Sequence, residues 1–242
     1  MNHVGRPFSP AFMMKRCVRA FTLIELLVVI GIIAVLVGVL VSVLGGGDSS
    51  TALQSSQSTV SSLLASARGQ AALAGHDAAV AVNFNPNNPD RYLRYCVVIV
   101  RDGNGNWITA NDGYYLPTGI YVVPSTSPTG NAVEEGVSFG SIKSDGFDGT
   151  LTPQKFNSLI AENWLVLGIN SLGLRVDATG QNDNTSLPDG RGTHIVLSVA
   201  TVQPPGTNPP MKFSNAQNVR GFSVSLYGVA GLINDASGFG AN

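Results

Sequence analysis

The chain has 242 residues, of which 44% are hydrophobic and 12% charged, with a net charge of -1. That length allows one or two domains and a sizeable core, and the charged share is about half of what globular domains usually carry. The first twenty residues hold Arg6, Lys15, Arg16 and Arg19 and no acidic residue, so the remaining 10 basic and 15 acidic side chains leave a net of -5, which excludes a general bias toward nucleic acid.

Phe21–Leu44 is a nearly unbroken apolar run whose one charge is Glu25. As a helix it reaches about 36 Å, more than the ~30 Å of a bilayer core. Lys15, Arg16 and Arg19 precede it and no basic residue follows closely, which predicts a cytoplasmic N-terminus and an exported remainder. The run is too long for the apolar core of a secretory signal peptide, about 7–15 residues. Glu25 needs an explanation, because a carboxylate in hydrocarbon costs on the order of 2–3 kcal/mol at the centre of a span and less near its end. Gly31, Ala34 and Gly38 are small enough to let another helix approach, or are ordinary transmembrane small residues.

Gly45-Gly46-Gly47 predicts a hinge or an unwound stretch, since each glycine disfavours helix by about 1 kcal/mol relative to alanine. Ser49 or Ser50 can cap a new helix. Residues 51–74 then read as that helix, with Leu53, Val60, Leu63, Leu64, Ala67, Ala71 and Leu73 as its apolar face and Gly75 as its stop. Strands are expected at 78–84, 92–100, 107–109, within 114–123, near 137–142, and at 164–169, 173–176, 194–202, 221–227 and 229–233. Asp102-Gly103-Asn104-Gly105-Asn106 reads as a hairpin turn, 153–163 as a short helix with Pro153 at its first position, and 204–210 as loop. The last residues are small and polar.

Few residues suggest chemistry. Asp102 to Asn106 begins like a calcium loop, but Trp107 and Gly113 stand where a glycine and a glutamate are needed. The loop holding Asp183 and Asp189 is oxygen-rich without a ligand pattern. His76, His194 and Cys96 have no metal-ligand spacing, and Cys96 sits in an apolar strand where a buried thiol is expected. Nucleophile-elbow, phosphate-loop and zinc-protease motifs do not occur. No enzyme activity, cofactor or metal is expected.

The stretch Lys15-Arg16-Cys17-Val18-Arg19-Ala20, followed by Phe21-Thr22-Leu23-Ile24-Glu25-Leu26-Leu27-Val28-Val29-Ile30, closely resembles the class III signal of type IV prepilins and type II secretion pseudopilins. In that family a membrane aspartyl peptidase cuts before the phenylalanine and methylates the new amine. The resemblance implies cleavage between Ala20 and Phe21, N-methylation of Phe21, and Glu25 as the fifth mature residue. The family usually has glycine before the cut, where this chain has Ala20. Glu25 of an incoming subunit would pair with the Phe21 amine of its neighbour, an attraction that is strong in low dielectric and fixes axial register. Removal of the leader takes Cys17 and leaves Cys96 without an intramolecular partner.

Ser61-Ser62-Leu63-Leu64-Ala65-Ser66-Ala67-Arg68-Gly69-Gln70-Ala71-Ala72-Leu73-Ala74-Gly75-His76-Asp77-Ala78-Ala79-Val80-Ala81-Val82 resembles the helix end and first strand of the H-type minor pseudopilins and the related minor pilins of the GspH/FimT family. Arg68 reads equally as a solvated residue near a helix C-terminus. The expected fold is α+β and pilin-like. A leader (1–20) precedes a long N-terminal helix (21–75, transmembrane over 21–44 and periplasmic over 50–75), which packs on a β-rich antiparallel domain (76–242). The resemblance implies a minor pseudopilin of a type II protein secretion system, anchored in a bacterial inner membrane. Its partners would be other pseudopilins or pilins, the prepilin peptidase and the secretion assembly platform, with no nucleic acid. A minor pilin of a surface pilus and a non-filament membrane-anchored binding protein are the alternatives.

Overall fold

The computed structural model describes residues 23–124, 142, 144–145, 147, 150–151, 162–177, 193–207 and 210–239, without the side chains of 25, 34–48 and 150–151. The leader, the strand expected near 137–142 apart from Ile142, and the helix expected at 153–163 apart from its last two residues lie outside this set. Contacts divide the chain into two units, Met1–Gly45 and Gly46–Asn242.

Helix α1 spans Leu23–Ala74. The expected break does not occur: the helical assignment runs through Gly45–Gly47, and Ser49 and Ser50 lie inside the helix rather than capping a second one. Extending an existing helix adds one hydrogen bond per residue fixed, whereas restarting one requires a costly new nucleus. The boundary between the two units nevertheless falls within the glycine triplet. At its far end α1 stops as expected. Gly75 takes φ +68° and its N–H donates to the Ala71 carbonyl at 3.0 Å, so the residue after the helix must be one that accepts a left-handed backbone.

In the second unit, Leu53, Val60, Leu63, Leu64, Ala67 and Ala71 form the buried face of α1. Leu73, expected on that face, is 85% exposed. It lies two residues beyond Ala71, about 200° around the helix and outside the stripe. Gln57 and Ser56 are buried on the same side as the stripe, and the Gln57 amide donates to the carbonyls of Gly221 and Ile233 at 2.8 and 2.9 Å.

Among the described residues the strands form two antiparallel sheets. The first comprises β1 (Ala78–Asn83), β2 (Tyr95–Arg101), β3 (Trp107–Thr109), β4 (Tyr114–Tyr115), β6 (Thr150–Leu151), β7 (Trp164–Ile169) and β8 (Arg175–Val176), with the central order β3-β2-β1-β7-β6. The second comprises β5 (Ile120–Val122), β9 (Thr193–Val202), β10 (Met211–Phe213), β11 (Val219–Val224) and β12 (Ala230–Ile233), with the order β10-β9-β11-β12 and β5 also on β9. Every residue of β1 and β7 is buried. Ala78, Val80 and Val82 share one core with α1 and the second sheet, while Ala79 and Ala81 pack with Tyr95, Val97, Ile99, Trp107, Trp164 and Val166 on the other face. A strand buried on both faces loses the apolar–polar alternation that marks a half-exposed one, which is why 78–84 alternates so weakly.

At two places the structure differs locally from the expected elements. Strand β2 begins at Tyr95 rather than Tyr92, because residues 88–95 turn first: the Tyr92 N–H donates to Asn88 and the Tyr95 N–H to Arg91. Within that turn Leu93 adopts φ 55°, an unusual conformation for a bulky residue. Its side chain is fully buried, its N–H donates to Asn83 of β1, and its carbonyl accepts from Val122 of β5, so one peptide segment ties the two sheets together. The C-terminal stretch, expected to be merely small and polar, forms a 3-10 turn at Ala236–Phe239 whose Phe239 is buried with its ring 5.4 Å edge-on from that of His194.

Candidate functional site: the N-terminal helix and the body it carries

The first described turns of α1 expose Leu23, Ile24, Leu26, Leu27, Val28, Val29, Ile30, Ile32 and Ile33. These positions run all the way round the helix. So much exposed apolar surface on a helix is disfavoured in water. Among the described residues no helix is long and apolar enough to cross a membrane; the described side chains of this segment stop at Ile33 and resume at Ser49. Ala20 and Phe21 lie outside the described residues. The Glu25 backbone belongs to α1, and its side chain lies outside the described residues.

The sequence candidates for chemistry have local explanations. Asp102 spends its carboxylate inside the hairpin turn, accepting the N–H groups of Asn104 and Asn106 at 2.9 and 2.8 Å, and these bonds hold its pKa below the usual carboxylate range. Asp77 pairs with Arg101 at 3.1 Å, and Arg101 in turn lies over Trp107, 4.9 Å from the ring centroid. His76 is exposed beside that pair, whereas His194 is buried. Among the described residues no group of three or more His, Cys, Asp or Glu is placed to hold a metal ion.

Cys96 is fully buried, and burial pushes its thiol up to about 12. The thiolate is the reactive form, so Cys96 is expected to resist an aromatic disulfide reagent for hours at pH 8 in the native protein and to react completely once denatured. Complete labelling of the native protein would overturn this placement.

Two polar clusters were not legible as sites. Glu162 accepts the side-chain amides of Asn83 and of Asn88, the latter at 2.8 Å, and faces Arg91 at 3.8 Å, which pins the proline-bearing turn 85–91. Asp145 accepts the His194 N–H; burial raises its pKa, opposed by that bond and by the charges of His194 and Arg175. Arg175 is itself buried and donates to the Thr193 hydroxyl. Pairs 49 or more residues apart in sequence, or an arginine in an unremarkable short strand, carry no local signal.

Arg68 is exposed, as a solvated helix residue would be, but its guanidinium lies across the β7–β8 turn: a Cβ on Gly173 would stand 3.1 Å from Arg68 Nε. Arg68 also lines a cavity of about 470 Å³ with Leu64, Gly69, Ala72, Gly228, Val229 and Ala230. A second cavity of about 580 Å³ continues along α1, lined by Gln54, Gln57, Ser58, Ser62, Arg220, Leu232 and Asn234, and the two share Ser61 and Ala65.

Residues 15–41 match the prokaryotic N-terminal methylation motif. No curated protein matches the chain. Among solved structures the chain is similar to the minor pseudopilin EpsH from the type 2 secretion system of Vibrio cholerae in two determinations. One is 14% identical with a TM-score of 0.37, covering 75% of this chain and 95% of that one. The other is 15% identical with a TM-score of 0.34, covering 75% and 92%.

Proposed function

We infer that this type IV pilin-like chain, which carries the N-terminal methylation motif of prepilin-type proteins, is a minor pseudopilin of a type II protein secretion system. In this reading it is cut between Ala20 and Phe21, methylated on Phe21, and packed into a periplasmic pseudopilus through α1. The observation that carries the reading is the junction of that motif with a helix start that is apolar on all sides. Such a surface suits first a bilayer and then a bundle of like helices. The GspH/FimT-like passage 61–82 supports a minor subunit of such a filament. The basic leader supports a cytoplasmic N-terminus and a periplasmic body.

Mass spectrometry of the protein from its native membrane tests the first half of this reading. The expected N-terminus is N-methylated Phe21, and a chain that keeps its first twenty residues overturns the assignment. Ala20→Trp is expected to leave the leader attached, because the peptidase must accommodate a small residue there. Deletion of the gene tests the second half. Loss of exported enzymes with surface pili intact is expected; lost pili with normal export would move the protein to a surface pilus.

A further inference from the structure

We propose that the groove between α1 and the outer edge of β12 is a docking site for a partner polypeptide, which enters as an extended acidic segment and adds a strand to the second sheet. Strand β12 ends that sheet, and among the described residues it pairs with β11 alone. The Ser225 N–H donates to the Val229 carbonyl across the hairpin at 2.9 Å. Backbone groups alternate between inward and outward along an antiparallel pair, so those of residues 229, 231 and 233 turn toward β11 and those of Ala230 and Leu232 turn outward. Ala230 lines one of the two joined cavities and Leu232 the other. The unpaired edge therefore opens into the groove, and such an edge is a template for another strand.

The walls say what that strand carries. Val229 and Leu232 are 53% and 64% exposed at the rim. Arg68 and Arg220 line the groove without an acidic residue beside them in its lining, and among the described residues neither forms an ion pair. The floor is made of Ser58, Ser61, Ala65 and Gly69, small enough to admit a backbone. An extended segment with acidic side chains on one face and apolar ones on the other fits these walls: its amides meet the outward groups of β12, and its acidic set turns into the groove, where Arg220 and Leu232 share one face of the sheet and Arg68 stands opposite on α1. A docked helix, with its backbone bonds already made, would leave the β12 edge unpaired.

The test uses the full-length chain in detergent micelles and a fluorescein-labelled peptide, acetyl-Glu-Val-Glu-Val-Glu-Val-amide, followed by anisotropy. The acidic peptide is expected to bind at least tenfold more tightly than its lysine counterpart. The double variant Arg68→Glu/Arg220→Glu is expected to reverse that preference. Leu232→Pro removes the outward N–H while sparing the ladder to β11 and is expected to weaken binding at least tenfold, where Leu232→Val does not. A peptide N-methylated on alternate amides supplies the same test without altering the protein and is expected to lose binding in one of its two registers. Equal affinity for both charge types, no binding of either, or indifference to backbone methylation in both registers overturns the proposal. Neither leader cleavage nor filament formation enters the measurement.

Discussion

Replacing Gly221 with alanine is expected to destroy the fold of the unit that begins at Gly46. Gly221 lies in β11, the strand held between β9 and β12, opposite Val196 on one side and Ile233 on the other. A Cβ there would run into the Ile195 carbonyl oxygen and stand 3.0 Å from both its carbon and the Phe239 ring. The obstruction is backbone, so no rotamer change relieves it; the two central strands would have to part. Overpacking by a methylene group in a core that can adjust costs about 1–3 kcal/mol, and separating strands costs more, a large share of a total stability of about 5–15 kcal/mol. Gln57 would also lose its geometry with the Gly221 carbonyl. Urea titration in micelles, followed by Cys96 reactivity, measures the effect. Gly231→Ala, whose Cβ would meet only the Ser223 oxygen at 3.7 Å, is the control and should change stability little. Equal effects of the two substitutions would remove the steric explanation.

Replacing Glu25 with alanine is expected to leave membrane insertion intact and to lower incorporation into filaments at least tenfold. Removing a charge from an apolar segment favours insertion, so an insertion defect is the wrong sign for the proposed role. Assembly differs because the Phe21 amine of the neighbour would enter the helix bundle without its counter-charge. Two unit charges 4 Å apart attract by about 4 kcal/mol at an effective dielectric of 20, and an unpaired buried charge is penalised on top. Glu25→Gln keeps the size of the side chain and discards its charge, so it should behave like the alanine variant, whereas Glu25→Asp should retain part of the function. Membrane fractionation reports insertion, and recovery in sheared or crosslinked filaments reports assembly. Normal recovery of both uncharged variants would remove the pairing role and leave Glu25 as a carboxylate reaching for the headgroups.

The N-terminal motif and the folded body were unevenly visible in the residues. The methylation motif is contiguous, so residues 15–41 can be matched from the sequence directly. The buried stripe Leu53, Val60, Leu64, Ala67, Ala71 follows helical period, and the Asp102–Asn106 turn uses residues that accept its backbone; both appear where periodicity and turn chemistry place them. The glycine triplet misled because composition reports the cost of a glycine and not the helix already running on either side. The short strands β6 and β10 were missed because two or three residues are fewer than any period needs. The groove along α1 was invisible for another reason: its floor is serine and alanine, which read as a solvated helix face, and its far wall comes from residues some 160 positions later.

The strand order has a temporal consequence. Strand β1 follows α1 directly, yet one of its two neighbours is β7, whose first residue Trp164 comes 81 positions after Asn83, the last residue of β1. A chain emerging from its N-terminus therefore presents an unsealed apolar ribbon for as long as that intervening stretch takes to arrive. At a synthesis rate of about 5–20 residues per second, the interval lasts several seconds, and any quality-control factor acting on the nascent protein has that window in which to find it.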